Sequence, residues 1–450
     1  MHIHILGISG TFMGSLAAIA KESGFHVTGS DLYSYPPISD QLNHLGIEVI
    51  PNYDLDQLDL NPDLIIIGNV MSRGMPLVEA ILNSDIPYTS GPEWLGYNIL
   101  KDRTVIAVSG THGKTTTSSL IAFILQDLGY NPGYLIGGVP MGFPSSATKG
   151  SDPYFVIEAD EYDTAFFDKR SKFIHYNPNL LVINNIEFDH VDIFADISEI
   201  YWQFHQLLRL IPSETTVIAN GDDKNIKQLF SQGFWSEKVF FGQSNSNDWS
   251  MEVFHDDGIT FSKDNEQIGQ IRPQIIGQHN LMNILGATAA LSSMGLNNKD
   301  VLKSIDRFPG VQRRLEFLGE HSGIKIFDDF AHHPTSIVAS IDSLKDKYRG
   351  DGSLYTITEL ASNTMKKGTL REELVNSFDQ ADLSLIINSE DIEWDIKKEF
   401  LTKNKAIIID NHEEIMDHLS DKLKPGDIIL IMTNRTSVPI REVLMNSIGV

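Results

Sequence analysis

Thr104-Val105-Ile106-Ala107-Val108-Ser109-Gly110-Thr111-His112-Gly113-Lys114-Thr115-Thr116-Thr117 decides the class of fold. The apolar run Thr104–Val108 reads as a buried strand, and Ser118–Leu128 reads as a helix that stops at Gly129. A strand, a glycine loop carrying Lys and Thr, and then a helix is the physical arrangement that holds nucleotide phosphates. Backbone N–H groups and the helix N-terminus face the anion, and the lysine neutralises the terminal phosphates. A threonine hydroxyl at the helix start is placed to ligate Mg²⁺. The common motif has its first glycine where Val108 stands, so this loop is a variant. Its candidate ATP ligands are Gly110, Thr111, His112, Gly113, Lys114, Thr115 and Thr116. A plain strand–helix turn with a stray lysine is the competing reading; two glycines, a lysine and three threonines in this context argue against it.

Upstream, Met1–Leu6 is an apolar strand and Gly7-Ile8-Ser9-Gly10-Thr11-Phe12-Met13-Gly14 a glycine-bearing turn. A helix is expected over Ser15–Ser23, a second strand at His26–Thr28, and a third at Asp63–Gly68. Downstream, strands are expected at Tyr154–Ile157 and Leu180–Asn184, then a short-stranded antiparallel meander over residues 213–275 and a helix over His279–Met294. Beyond Gly310, apolar runs at Lys325–Phe327, Leu354–Ile357, Leu383–Ile387, Ala406–Ile409 and Ile428–Met432 alternate with helical stretches, one of them starting near Pro334. Strands alternating with helices predict an α/β chain with parallel sheets. A single core stops growing at about 250–300 residues, so 450 residues predict more than one domain. The boundaries are placed at 1–103, 104–309 and 310–450.

Composition narrows the function. The net charge of −25 argues against a nucleic-acid-binding face, and any anionic substrate must be held by local cations. The chain has no cysteine, which removes thiol nucleophiles, disulfides and Cys-based metal sites. No apolar run reaches membrane-spanning length and no secretory leader precedes the first strand, so a cytoplasmic protein without a membrane partner is expected.

Several side-chain groups carry chemistry. Gly7, Gly10 and Gly14 do not fit the dinucleotide spacing, although Asp31 sits where a ribose-binding acid would; a dinucleotide, another nucleotide and a structural turn all remain open. Glu158-Ala159-Asp160-Glu161-Tyr162-Asp163 ends a strand, where carboxylates hold Mg²⁺ on a phosphate or form a solvated acidic loop. Asn184-Asn185-Ile186-Glu187-Phe188-Asp189-His190 ends another strand in the same way, with His190 a metal ligand or a structural histidine. Gly277-Gln278-His279-Asn280, Gln312-Arg313-Arg314-Leu315-Glu316 and Asp328-Asp329-Phe330-Ala331-His332-His333-Pro334 each supply polar groups that fit either a site or a turn.

Taken in order, Gly-Thr-His-Gly-Lys-Thr-Thr, Glu-Ala-Asp-Glu, Asn-Asn-Ile-Glu-Phe-Asp-His, Gly-Gln-His-Asn, Arg-Arg-Leu-Glu and Asp-Asp-Phe-Ala-His-His-Pro resemble the Mur ligase family over nearly the whole chain. The resemblance implies a Rossmann-like N-terminal domain, a P-loop ATPase central domain with the small antiparallel β meander, and a Rossmann-like C-terminal domain. It implies an ATP- and Mg²⁺-dependent ligase joining the lactyl carboxylate of UDP-N-acetylmuramate to an amine through an acyl phosphate. Glu161–Phe173 and Ser362-Asn363-Thr364-Met365-Lys366 resemble members that accept the peptide L-alanyl-γ-D-glutamyl-meso-diaminopimelate. Members that accept L-alanine are the alternative, and a catalytically impaired nucleotide-binding relative is a further one.

Carried onto this sequence, the family places Lys114, Glu158 and His190 at the chemistry, with Thr115, Glu158 and His190 as metal ligands. Asn280, Arg314 and Asp329 join the loop in binding ATP. Gly7, Gly10, Thr11, Phe12, Met13, Gly14 and Asp31 hold the UDP-linked substrate, and Ser362, Asn363, Lys366 and Arg435 the peptide. Two stretches depart from the peptide-accepting pattern: Leu360-Ala361 replaces Pro-Arg, and Thr433-Asn434-Arg435-Thr436-Ser437 replaces a glycine-rich turn, so Arg435 is expected to supply the missing guanidinium. The expected partners are small molecules, with a monomer or weak homo-oligomer.

Overall fold

The computed structural model describes residues 1–35, 38–191, 193–253, 258–350, 352–388, 391–400 and 405–448. They group into two compact units. The first holds Met1–Glu187, Ser198–Arg272 and Asn283–Phe308; the second holds Phe188–Ile197, Pro273–Met282 and Pro309–Val450.

In the first unit, five parallel strands run Val49–Ile50, His26–Ser30, His2–Leu6, Leu64–Ile67, Tyr88–Ser90 across one sheet. Strand order reverses beside His2–Leu6, so the turn after that strand opens at the switch point where α/β ligand sites form. Helix Thr11–Glu22 follows, beginning four residues earlier than Ser15. Thr11 and Gly14 are weak helix formers, so the earlier start goes with burial of Met13 through Ala20 and not with propensity.

A second sheet in the same unit has ten strands. Its parallel part runs Gly133–Leu135, Tyr154–Glu158, Thr104–Ser109, Leu180–Ile183, Thr216–Asn220, Glu237–Gly242, Trp249–Val253. Thr104–Ser109 and Leu180–Ile183 are central and buried along almost their whole length, which explains their unbroken apolar sequence. The expected meander over residues 213–275 is corrected here. Thr216–Asn220 and Glu237–Gly242 continue the parallel sheet, joined by helix Lys224–Ser231. Asp223 caps that helix by accepting from the N–H groups of Asn225 and Ile226, so the Asn-Gly-Asp-Asp break is a strand–helix turn and not a hairpin. Within this stretch, among the described residues, the antiparallel pairing is confined to Trp249–Val253, Ile259–Lys263 and Glu266–Ile271; residues 254–257 lie outside the described residues. The two sheets are tied together. The Glu22 carboxylate accepts from Thr148 Oγ1 (2.9 Å) and the Lys149 N–H (2.6 Å), and the Ser15 and Ser146 hydroxyls meet at 3.0 Å.

The second unit carries six strands in the order Glu316–His321, Ile324–Asp329, Ile428–Met432, Leu354–Glu359, Leu383–Ile387, Ala406–Ile409. The first two form a hairpin and the rest are parallel. Apolar clusters cover both faces. Buried Asp328 accepts from Arg441 and Ser437 Oγ, tying the segment around helix Val438–Ile448 to the second strand. No helix among the described residues is long and apolar enough to cross a membrane.

Candidate active site

The phosphate loop is shaped by two constraints. Gly113, the N-cap of helix Lys114–Asp127, has φ +81°, and a Cβ there would sit 2.2 Å from Asn283 Oδ1 and 2.9 Å from Asn184 Nδ2. Only glycine satisfies both backbone and packing. The loop is then locked from behind: Asn185 accepts from the His112 N–H (2.8 Å) and donates to the His112 carbonyl (3.2 Å). The Thr111 N–H donates to the Asn185 carbonyl (3.2 Å), and the Glu187 N–H donates to Thr111 Oγ1 (2.8 Å). His112 Nε2 lies 3.3 Å from Glu187 Oε2. Asn184 Nδ2 donates to Thr117 Oγ1 (3.1 Å). The Asn-Asn-Ile-Glu stretch therefore fixes the loop, a role its sequence did not disclose. Asn283 was missed altogether, although it lies one helical turn beyond Asn280 on helix Gln278–Ser293.

Lys114, Thr115 and Thr116 are buried at the helix start, and Gly110 takes a positive φ at the strand end. Lys114 Nζ lies 2.6 Å from Glu161 Oε2 and 3.7 Å from Asp160 Oδ1. Burial alone would lower its pKa, but the carboxylates of Glu161, Asp160 and Glu158 outweigh that and raise it. The lysine is a fixed cation. Thr115 Oγ1 donates to Glu158 Oε1 at 3.1 Å, and Glu158 Oε2 accepts from the Gly137 N–H at 2.7 Å. A hydroxyl and a carboxylate oxygen side by side form the hard-oxygen donor set that suits Mg²⁺.

The N-terminal glycine turn opens onto the same region. A cavity of about 530 Å³ is lined by Gly7, Gly10, Thr11, Phe12 and Met13 from the turn, by Asp31 after the neighbouring strand, and by Leu135, Gly137, Glu158, Asp160, Thr164 and Lys172 from the larger sheet and the segments that follow its strands. Asp31 accepts from the Ser9 N–H (2.9 Å) and from Tyr53 Oη (3.3 Å), which braces the turn. Gly10 is the N-cap of helix Thr11–Glu22, leaving the first N–H groups of that helix without a capping side chain. Gly14 does not line the cavity. A Cβ there would lie 2.5 Å from Ile38 Cγ2, so it is a packing glycine inside the helix.

The other expected residues lie in the second unit. His190 takes φ +57°, and its N–H donates to Asp189 Oδ1 (2.7 Å). Buried Asp189 also accepts from Thr364 Oγ1 (2.8 Å). Burial would raise the Asp189 pKa, but His190 and His333 hold it well below the usual carboxylate range. Asn280 is buried, and its side chain donates to the Ile276 carbonyl (2.7 Å). Arg314 stacks over the Phe330 ring at 5.1 Å. Asp329 accepts from the N–H groups of Leu315 (2.9 Å) and Ala331 (2.8 Å) and from Ser340 Oγ (3.2 Å). Burial still pushes its carboxyl up to about 6 against the pull of Arg314 and those donors. Its bonds make it a brace for the Arg-Arg-Leu and Asp-Phe-Ala turns. Ser362 caps helix Asn363–Lys367, with Asn363 exposed and Lys366 half-buried. Arg435 is exposed, and its Nη1 lies 3.2 Å from Glu359 Oε1.

Comparison with known proteins agrees with this architecture. The Mur ligase family catalytic domain matches residues 2–103, the Mur ligase middle domain residues 108–291, and the Mur ligase glutamate ligase domain residues 313–435. A UDP-N-acetylmuramate–L-alanyl-γ-D-glutamyl-meso-2,6-diaminoheptandioate ligase of Haemophilus influenzae is 43% identical over 452 residues, covering 99% of both chains. A UDP-N-acetylmuramate–L-alanine ligase of Acetivibrio thermocellus is 31% identical over 446 residues, covering 96% of this chain and 92% of the relative. The crystal structure of a murein peptide ligase from Psychrobacter arcticus superposes with a TM-score of 0.76 at 38% identity, covering 100% of this chain and 99% of the other.

Proposed function

The chain belongs to the Mur ligase family, and we propose from that membership the reaction it performs. It is an ATP-dependent ligase that joins the lactyl carboxylate of UDP-N-acetylmuramate to the amine of L-alanyl-γ-D-glutamyl-meso-diaminopimelate. The observation that carries this reading is the 43% identity over 99% of both chains to a ligase of that name. The 31% identity to an L-alanine-accepting relative supports the alternative acceptor less. Such a reaction returns recovered peptides to peptidoglycan synthesis.

The geometry supplies a working division of labour. Carboxylate and ammonium do not condense in neutral water, so the carboxylate must first be activated. Its oxygen bonds to the γ-phosphorus of ATP as the bond to the β–γ bridging oxygen breaks, releasing ADP. The neutral amine then attacks the acyl phosphate carbonyl, and phosphate leaves. Catalysis of this kind is mostly positioning and charge stabilisation. The N–H groups at the start of helix Lys114–Asp127 receive the phosphates, and Lys114 neutralises the transferring group. Thr115 and Glu158 would hold Mg²⁺, which screens phosphate charge when bound. His190 would join Thr115 and Glu158 at the metal, Asn280, Arg314 and Asp329 are assigned to the nucleotide, and Ser362, Asn363, Lys366 and Arg435 to the peptide. The glycine turn, helix Thr11–Glu22 and Asp31 take the UDP-linked donor.

The functional domains are drawn at 1–103, 104–309 and 310–450. The substrates are cytoplasmic small molecules, so the enzyme is assigned to that compartment as a monomer or weak homo-oligomer. Phosphate release from ATP with Mg²⁺ and UDP-N-acetylmuramate tests the reading, comparing the tripeptide with free L-alanine. Turnover with the tripeptide alone is expected; turnover with L-alanine alone would move the acceptor, and none with either would refute the proposal.

A further inference from the structure

The cavity contains a cation that the phosphate loop does not supply. Strands Asp163–Ala165 and Asp168–Ser171 form a hairpin that returns the chain to the acidic stretch. Ser171 Oγ donates to the Glu161 carbonyl (2.5 Å), and the Lys172 N–H donates to the Tyr162 carbonyl (3.0 Å). Basic side chains on either side of that point have local partners. Lys169 pairs with Asp163 at 2.6 Å, while Arg170 and His175 share Asp168 at 2.7 and 3.0 Å. Lys172 differs. Its side chain is only 13% exposed and lines the cavity wall. Its Nζ lies 3.0 Å from Asp160 Oδ2, 5.5 Å from the Tyr162 ring centre and 5.7 Å from that of Phe12 in the glycine turn. The other oxygen of Asp160 is 3.7 Å from Lys114 Nζ.

One carboxylate thus spans two lysines, one belonging to the phosphate loop and one to the cavity. This places Lys172 at the boundary between the transferring phosphate and the donor. Two anions must meet there, because a carboxylate oxygen attacks an already charged γ-phosphoryl group. The diphosphate of the donor has another site, the uncapped N-terminus of helix Thr11–Glu22. We propose that Lys172 binds the carboxylate of the UDP-linked donor and holds it against the γ-phosphate. The inference rests on the donor proposed above. Asp160, shared with Lys114, and the aromatic faces beside Nζ hold the ammonium in place.

Calorimetric titration with UDP-N-acetylmuramate and with UDP-N-acetylglucosamine, which lacks the lactyl carboxylate, tests the assignment on wild type, Lys172→Met and Lys172→Arg. A charge-assisted hydrogen bond is lost in Lys172→Met, so affinity for the muramate compound is expected to fall about 10–100-fold. Affinity for the glucosamine compound is expected to stay within about twofold of wild type, which also shows that the variant is folded. Lys172→Arg is expected to recover most of the loss. Equal weakening toward both compounds would overturn the proposal in favour of a diphosphate contact, and no weakening toward either would leave Lys172 a structural residue. If wild type bound neither compound, the donor itself would be wrong, a result separate from both.

Discussion

The side chains of Lys114 and Glu161 meet at 2.6 Å, and only 10% and 3% of their surfaces remain exposed. The phosphate-loop lysine is therefore held by a carboxylate in the position from which the proposed mechanism uses it. Breaking a buried pair from one side is more damaging than removing both charges. Lys114→Met is expected to cost about 3–5 kcal/mol of stability. The double variant Lys114→Met/Glu161→Gln is expected to regain most of that in urea unfolding while phosphate release stays abolished. A double variant that recovered turnover would remove Lys114 from the chemistry.

Thr115→Val deletes the hydroxyl that lies against Glu158. Turnover is expected to drop by about 10²–10³, the scale for losing one group that stabilises transition-state charge. The Mg²⁺ concentration giving half-maximal phosphate release should rise in the same variant. An unchanged Mg²⁺ dependence would take Thr115 out of the metal site.

Gly113→Ala introduces a Cβ into Asn283 and Asn184 on a backbone with φ +81°. Forcing a non-glycine residue into such a conformation costs about 1–3 kcal/mol. Loss of ATP binding in fluorescence titration should accompany the lower melting temperature, because the same contacts set the loop. Retained ATP affinity would show that the loop tolerates another shape.

Arg435 pairs with Glu359 at the surface, with 53% of its side chain exposed. An exposed pair contributes under about 1 kcal/mol, so Arg435→Ala should barely change the melting temperature. Its assigned role predicts instead a KM for the tripeptide raised by about tenfold, the loss expected for one charge-assisted contact. KM for ATP should not move. An unchanged tripeptide KM would leave the departure from the family pattern uncompensated by this residue.

His4 gives the N-terminal sheet a pH dependence. It is buried in the central strand, with Nδ1 2.8 Å from Thr28 Oγ1 and Nε2 3.1 Å from Gln57 Oε1. Burial lowers its pKa below the ordinary 6.5, against the opposing hydrogen bond to Gln57. The folded state thus prefers the neutral ring more than the unfolded state does. That contribution is complete above about 6.5 and is lost as pH falls through the lowered value. Melting temperature should fall between pH 7 and 5, with a shallower slope in His4→Asn; equal slopes would show that His4 does not carry the effect.

Much of this was legible because it depends on local chemistry. A strand, Gly113-Lys114-Thr115 and a helix report their geometry through adjacent residues, and the bounds of Leu383–Ile387, Ala406–Ile409 and Ile428–Met432 follow from apolar runs, interrupted only at Ser384. What stayed hidden depended on distant partners. Gly14 reads as part of the glycine turn, and its packing against Ile38, 24 positions away in sequence, could not be read there. Asn283 reaches Gly113 from a helix more than 160 residues downstream. Lys172 sits among basic residues of the same kind, and only the hairpin decides which one faces the cavity. Asp329 reads as a site acid, and its bracing bonds from two backbone N–H groups and a serine hydroxyl come from residues the sequence does not single out.

Strand Ile428–Met432 lies between Ile324–Asp329 and Leu354–Glu359, in the middle of its sheet, although it is the last strand made. During translation the earlier strands of that sheet must wait with two open edges until this segment clears the ribosome. Arg441, which reaches back to Asp328, arrives later still. The second unit therefore becomes a solid body only after this segment has emerged, later than the phosphate loop. A premature stop before residue 428 would yield a nascent chain with the phosphate loop made and two half-sheets exposed to chaperones or to each other.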